Sequence, residues 1–243
     1  MHGPPCGIRI AVDDDLQQDA HRPSLAPAPY AGPVPPFDQS TYQVRLDWGL
    51  EGLARLAPAD VVVVVDVLRF STTVIRALEN DAAFCLDAAA FASSINGAAV
   101  AAAAADTGAV VLLGALRNAS AVAAAVYAEQ RRAGRTSVNV VAAGERSARE
   151  AGSSVRFAVE DQLGAGAIID ALATLGLDHS SPEAAVTGEA FRALRRATRH
   201  LLTAGGSGRE LAGLGRGDEV DAAAAVDAAS VVPILREGVF GPL

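Results

Sequence analysis

Five consecutive valines, Val61 to Val65, constrain this chain more than any other feature. Side chains alternate faces along a strand, so an unbroken β-branched run has no polar face to turn to water. Such a strand must be covered on both sides, as in a sheet layered between helices. Further apolar runs that suit buried strands occupy 109–113, 137–142 and 155–159. Helical patterns fall at 72–78, 97–105, 119–132 and 162–175. A strand is expected from Tyr42 in YQVRLDWG, and a short helix at 50–56. Pro182 to about Thr203 and the segment after Gly217 read as helices, ahead of a last strand at 231–235. Strands alternating with helices over short links predict an α/β fold, a mainly parallel sheet flanked by helices with a helical C-terminal third.

Residues 1–38 stand apart. They hold eight of the twelve prolines and the acidic triplet Asp13 to Asp15, without apolar periodicity. This predicts a disordered Pro-rich leader ahead of a folded domain at 39–243. It has no basic region followed by a long apolar one, so no signal peptide is expected. The net charge is −8 and all 20 basic residues are arginine, which excludes a Walker P-loop and lysine Schiff-base chemistry. The acidic balance argues against nucleic acid as a partner. No apolar run is long enough to span a bilayer, so no membrane partner is expected. A cytoplasmic location follows by default, and the oligomeric state, homo-oligomer included, stays open. Cys6 and Cys85 supply neither a disulfide framework nor a zinc site. None of the four histidines completes a Ser-His-Asp order.

A weak internal likeness points to the chemistry. VVVVVDVLRFSTTVIRAL and AVVLLGALRNASAVAAAV share one plan: apolar strand, Leu-Arg, small hydroxyl residues, helix. VNVVAAGERSARE again leaves an apolar strand into Gly, Glu, Arg and Ser. Ligands of open parallel sheets bind beyond the carboxyl ends of the strands, where all three units place polar residues. Asp66 ends its strand and suits a divalent metal or general acid–base work, or a structural pair with Arg69. Arg69 offers the planar fork that matches phosphate or sulfonate oxygens. Ser71, Thr72 and Thr73 stand at the expected helix start, an anion-binding end or a plain N-cap. Asn118 and Asn96-Gly97 each precede an Ala-rich helix, as caps or as points of close approach to a ligand. Glu160 and Asp161 begin a further helix, favoured there by its dipole or as a Mg²⁺ site.

These segments resemble the 2-phosphosulfolactate phosphatases (ComB-like proteins). DVLRFSTTVIRAL at 66–78, SSING at 93–97, GALRNASAVA at 114–123, AAGE at 142–145 and VEDQLGAG at 159–166 resemble that family's motifs in its order. The stretch GGSGRELAGLGRGDEVDAAAAVDAASVVP resembles its C-terminal segment. The resemblance implies an α/β, Mg²⁺-dependent phosphatase acting on 2-phosphosulfolactate or a similar small phosphorylated organic acid. By motif, Asp66, Arg69, Asn118 and Glu145 become catalytic candidates. Ser71, Thr72, Thr73, Asn96 and Gly97 become substrate-binding candidates, and Asp66, Glu160 and Asp161 metal ligands. One departure stands out: only seventeen residues separate Leu78 from Asn96, where the family carries a longer stretch. That shortening admits an alternative, a relative that binds a small anion without turnover.

Overall fold

The computed structural model describes residues 35–146 and 154–243. In chain order the elements are β1 (Val44–Trp48), α1 (Gly49–Arg55), β2 (Val61–Val65), α2 (Phe70–Glu79), β3 (Phe84–Cys85), α3 (Ala88–Ser93), α4 (Gly97–Ala105), β4 (Val110–Gly114), α5 (Ala119–Ala133) and β5 (Val138–Ala142). There follow β6 (Glu145–Arg146), β7 (Val155–Arg156), α6 (Val159–Thr174), α7 (Pro182–Leu194), α8 (Thr198–Ala204), α9 (Gly206–Gly213), α10 (Gly217–Ala223), β8 (Pro233–Arg236) and β9 (Val239–Pro242).

Among the described residues, seven strands form one sheet in the order β1-β5-β2-β4-β8-β9-β3. β1, β5, β2 and β4 run parallel, while β8, β9 and β3 extend the sheet antiparallel. The valine run behaves as its composition requires. Val61, Val63 and Val65 pack into one apolar layer with residues of α5 and α6, such as Val122 and Leu163. Val62 and Val64 pack into the other, with Val74 of α2, Val100 of α4 and Phe240 of β9. All five valines are buried.

Two expectations need correction, and the last strand expected at 231–235, present as β8, gains a hairpin partner. The segment 155–159 is not a buried strand of the main sheet. Val155 and Arg156 pair with β6 in a separate two-stranded ribbon and are exposed, and Val159 already begins α6. The final strand is antiparallel and turns back as a hairpin through Glu237 and Gly238, both at positive φ. α6 starts three residues earlier than its apolar pattern suggests, which puts Glu160 and Asp161 inside its first turn.

The expected leader falls outside the described residues up to position 34. Asp38 and Gln39 belong to the fold: the Asp38 carbonyl accepts the Ala57 N–H, and the Gln39 amide bonds both main-chain groups of Leu46. Among the described residues, no helix is long and apolar enough to cross a membrane.

Candidate active site

The carboxyl ends of the parallel strands lie level, with Val65 opposite both Gly114 and Ala142, and Trp48 also opposite Ala142. Residues leaving these strands therefore emerge along one edge. A cavity of about 410 Å³ opens there, lined by Asp66, Arg69, Ser94, Asn96, Glu145, Arg146, Ser207, Glu210 and Arg216 among others.

Asp66 leaves β2 with 4% of its surface exposed. Its Oδ1 accepts the Phe70 N–H at 3.1 Å, and its Oδ2 accepts the Gly97 N–H at 2.9 Å and the Ser94 hydroxyl at 3.2 Å. A carboxylate offers about four lone-pair directions, so one of those on Oδ1 stays available. Burial pushes the Asp66 carboxyl up to about 6, against the pull of those hydrogen bonds and with help from the Glu160 charge. Gly97 is required by this contact. A Cβ at that position would stand 2.5 Å from Asp66 Oδ2.

Asp161, in the first turn of α6, is equally buried. Its Oδ1 accepts the Val67 N–H at 2.8 Å and its Oδ2 the Gly144 N–H at 2.9 Å. Burial first, then the charges of Asp66 and Glu160, hold its carboxyl well above the usual range. Beside it, Ser207 Oγ stands within hydrogen-bonding reach of both Glu160 and, at 2.8 Å, Glu145 Oε2, and its single proton serves one of the two at a time. One hydroxyl thus links two carboxylates from α6 and β6. Glu145 is further paired with Arg156 at 3.0 Å.

Across the cavity, Arg69 makes a loose contact with Glu219 at 3.5 Å, and Arg216 grips the same carboxylate at 2.6 and 2.9 Å. Arg69 therefore does not pair with Asp66, whose partners are N–H and hydroxyl donors. Its side chain remains 30% exposed.

A family model described as 2-phosphosulpholactate phosphatase matches residues 84–238. This chain belongs to that family. The match takes in Asn96, Gly97, Asn118, Glu145, Glu160 and Asp161, and it begins downstream of Asp66 and Arg69. The place of those two in the site of this phosphatase-family member rests on the geometry above.

The expected site residues divide accordingly. Asp66, Arg69, Asn96 and Glu145 line one cavity. Ser71 and Thr72 do not present free hydroxyls to it: Ser71 Oγ accepts the Asp66 N–H and donates to Val64 O, while Thr72 Oγ1 donates to Val67 O at 2.7 Å. Both hold the turn after β2. Thr73 is exposed and lines a neighbouring cleft with Arg69 and Arg76. Asn118 is wholly buried and closes the turn after β4, accepting from Ala115 N–H and donating to the carbonyls of Leu113 and Val231. It braces the sheet rather than facing the cavity.

Ser207 is the group that reading by motif left without a role. Its signal was the glycine density around it. A Cβ at Gly206 would stand 2.9 Å from Arg156 Nη2, and one at Gly208 only 1.9 Å from Leu202 O. Glycines that close to their neighbours mark a segment packed tightly against others.

The donor chemistry also tests the expected magnesium ion. Asp161 already holds two main-chain N–H groups, and it is not among the described residues lining the cavity. Among the described residues, no group of three or more His, Cys, Asp or Glu forms a metal cage. Mg²⁺ needs less, taking one or two carboxylates and completing its shell with water and phosphate oxygens. Asn96 Oδ1 is buried, lacks any hydrogen-bond partner and belongs to a cavity-lining residue, as does the Glu145 carboxylate. A hard oxygen acceptor with no donor, on a residue that lines the same cavity as Glu145, is compatible with such an ion.

Proposed function

We propose that this chain is a Mg²⁺-dependent phosphatase that hydrolyses 2-phosphosulfolactate, or a similarly small anionic phosphate ester, to the free alcohol and inorganic phosphate. One observation carries the reading: in a member of this family, Asp66, Asn96, Glu145, Arg69 and Arg216 line a single cavity at the strand ends, and Asp66 Oδ1 and the buried, unpartnered Asn96 Oδ1 keep acceptor capacity. Arg69 orients the phosphate or an acid group of the substrate through its planar N–H fork, and Arg216, held on Glu219 through Nε and Nη2, adds positive charge beside it. Arg69 can turn to the substrate readily, because its contact with Glu219 is long and partly solvated.

Asp66 is the general base. A carboxyl raised to about 6 by burial is ionised at neutral pH yet basic enough to take a proton from water in the transition state. The water oxygen bonds to phosphorus as the phosphorus–ester oxygen bond breaks, and the alcohol leaves with a proton from solvent. The amides of Phe70 and Gly97 and the Ser94 hydroxyl fix the carboxylate at the cavity wall and leave one lone pair of Oδ1 without a donor. Asn96 Oδ1 and Glu145 would hold Mg²⁺, which when bound supplies positive charge against the phosphoryl oxygens. Asp161 positions both flanks, since the amides it ties belong to Val67, next to Asp66, and Gly144, next to Glu145.

The test is phosphate release from 2-phosphosulfolactate and a panel of small phosphate esters, with Mg²⁺ and with EDTA. Turnover that needs the metal is expected. No release from any ester would overturn the reading, and sulfolactate binding without turnover would favour the anion-binding alternative.

A further inference from the structure

A second cleft, of about 370 Å³, adjoins the polar cavity and shares Leu68, Arg69 and Arg216 with it. Arg69, Thr73, Arg76, Asn80, Arg216 and Glu219 are among its polar residues. Four of them, Arg69, Thr73, Arg76 and Asn80, recur at intervals of three and four along α2 and its two caps, so they share one side of the helix. Helix side chains tilt toward the N-terminal end, which carries Arg76 toward Arg69 and the polar cavity. Among the described residues, no hydrogen bond or ion pair engages the Arg76 guanidinium or the Thr73 hydroxyl, and both residues are exposed.

Charge separates the two spaces. Among the described lining residues, the polar cavity sets Asp66, Glu145 and Glu210 against Arg69, Arg146 and Arg216, so its charges balance. The cleft sets Arg69, Arg76 and Arg216 against Glu219 alone, on a chain whose net charge is −8. An ester such as 2-phosphosulfolactate brings acid groups besides its phosphate. With the phosphate in the polar cavity, a second anion there would stand among three carboxylates, whereas the cleft meets it with an excess of positive charge.

We infer that this cleft is the subsite for the acid group on the alcohol part of the ester, and that Arg76, with the Thr73 hydroxyl beside it on α2, selects esters bearing a carboxylate or sulfonate. The inference rests on the phosphatase reading and deepens it. Arg69 and Arg216 stand where the two spaces meet, between the phosphate and the acid group. Arg76 supplies a planar fork of donors that the fold itself leaves unused.

The probes are 2-phosphoglycolate and ethyl phosphate, which share a phosphoryloxymethylene unit and end it in a carboxylate or a methyl group. The readout is the ratio of their kcat/KM values, compared between variant and wild type so that the difference in leaving group cancels. Arg76→Gln should lower the ratio by about fivefold, the upper range for one partly solvated ion pair. Arg76→Lys keeps the charge without the fork and should fall between. Both variants should melt with the wild type, since Arg76 has no partner in the fold to lose. A ratio that Arg76→Gln leaves unchanged would overturn the subsite. Where neither probe turns over, calorimetry with phosphonoacetate and ethylphosphonate decides the cleft, while the phosphatase reading stands or falls on the wider ester panel. Tighter binding of phosphonoacetate that Arg76→Gln removes supports the subsite. Equal or absent binding of the two, or tighter binding that survives Arg76→Gln, overturns it.

Discussion

Two buried aspartates, one leaving β2 and one in the first turn of α6, each have both carboxylate oxygens tied to main-chain N–H groups. Burial raises both above the usual carboxyl range. Their surroundings separate them. Asp66 lines the polar cavity and keeps a lone pair directed away from its amide donors. Asp161 ties the loop after β2 to the loop after β5, and is not among the described lining residues. The difference teaches that burial and a raised pKa do not by themselves mark a reacting group. What a carboxylate faces once its structural hydrogen bonds are made decides whether it reacts or braces.

The comparison can be sharpened first through pH. A raised carboxyl holds its proton more tightly in the folded state, so its contribution makes stability fall as pH rises from the unfolded value toward the folded one. For Asp66 that window runs from 3.8 to about 6. Urea melts of wild type and Asp66→Asn at pH 4 and pH 7 should show the wild type losing up to about 3 kcal/mol relative to the variant across the window. A constant difference would mean that Asp66 titrates normally.

Gly97→Ala should come next. The added Cβ meets Asp66 Oδ2 at 2.5 Å, and overpacking of this kind costs about 1–3 kcal/mol. If Asp66 is the general base as proposed, phosphatase activity should drop with it, because the displaced atom belongs to that carboxylate; melting and kinetics together check this. Arg69→Ala should lower kcat/KM by at least about tenfold with a melting temperature near wild type, since a lost charge-assisted bond to substrate costs about 1.5–3 kcal/mol. Arg69→Lys should fall between. Near-normal kinetics in a destabilised Arg69 variant would make that side chain structural. The smallest effect belongs to Glu219→Gln, which breaks a partly exposed contact with Arg69 and Arg216. Stability should change by less than about 1 kcal/mol, and KM should fall slightly as both arginines are released toward substrate.

The parallel half of the sheet was legible in the sequence because its strands announce themselves as unbroken apolar runs. Val61–Val65 and Val138–Ala142 need no distant information to be recognised as interior. The antiparallel edge was not, because β3 and β9 are short and depend on each other: Phe84 pairs with Phe240 across more than half the chain. The cavity divides in the same way. Asp66 stands immediately past β2, where position flags it, while Glu145 stands three residues past β5 and needed the family's motif as well. Ser71, Thr72 and Asn118 stand at equally promising positions, yet their polar atoms are spent on the turns they sit in. Which partner a hydroxyl or amide finds depends on chain brought in from elsewhere, as with Val231 opposite Asn118, and no local pattern encodes that.

The central claim, that Asp66 reacts while Asp161 braces, is tested most directly by a matched pair, Asp66→Asn and Asp161→Asn, read for melting temperature and for kcat/KM of phosphate release. Each change is isosteric and turns one amide donor against a main-chain N–H, so the melting temperatures should move by similar amounts. Activity should split, with Asp66→Asn losing at least about 100-fold, the range of a removed general base, and Asp161→Asn losing far less. Equal losses of activity in the two variants, or the larger loss at Asp161, would contradict the assignment.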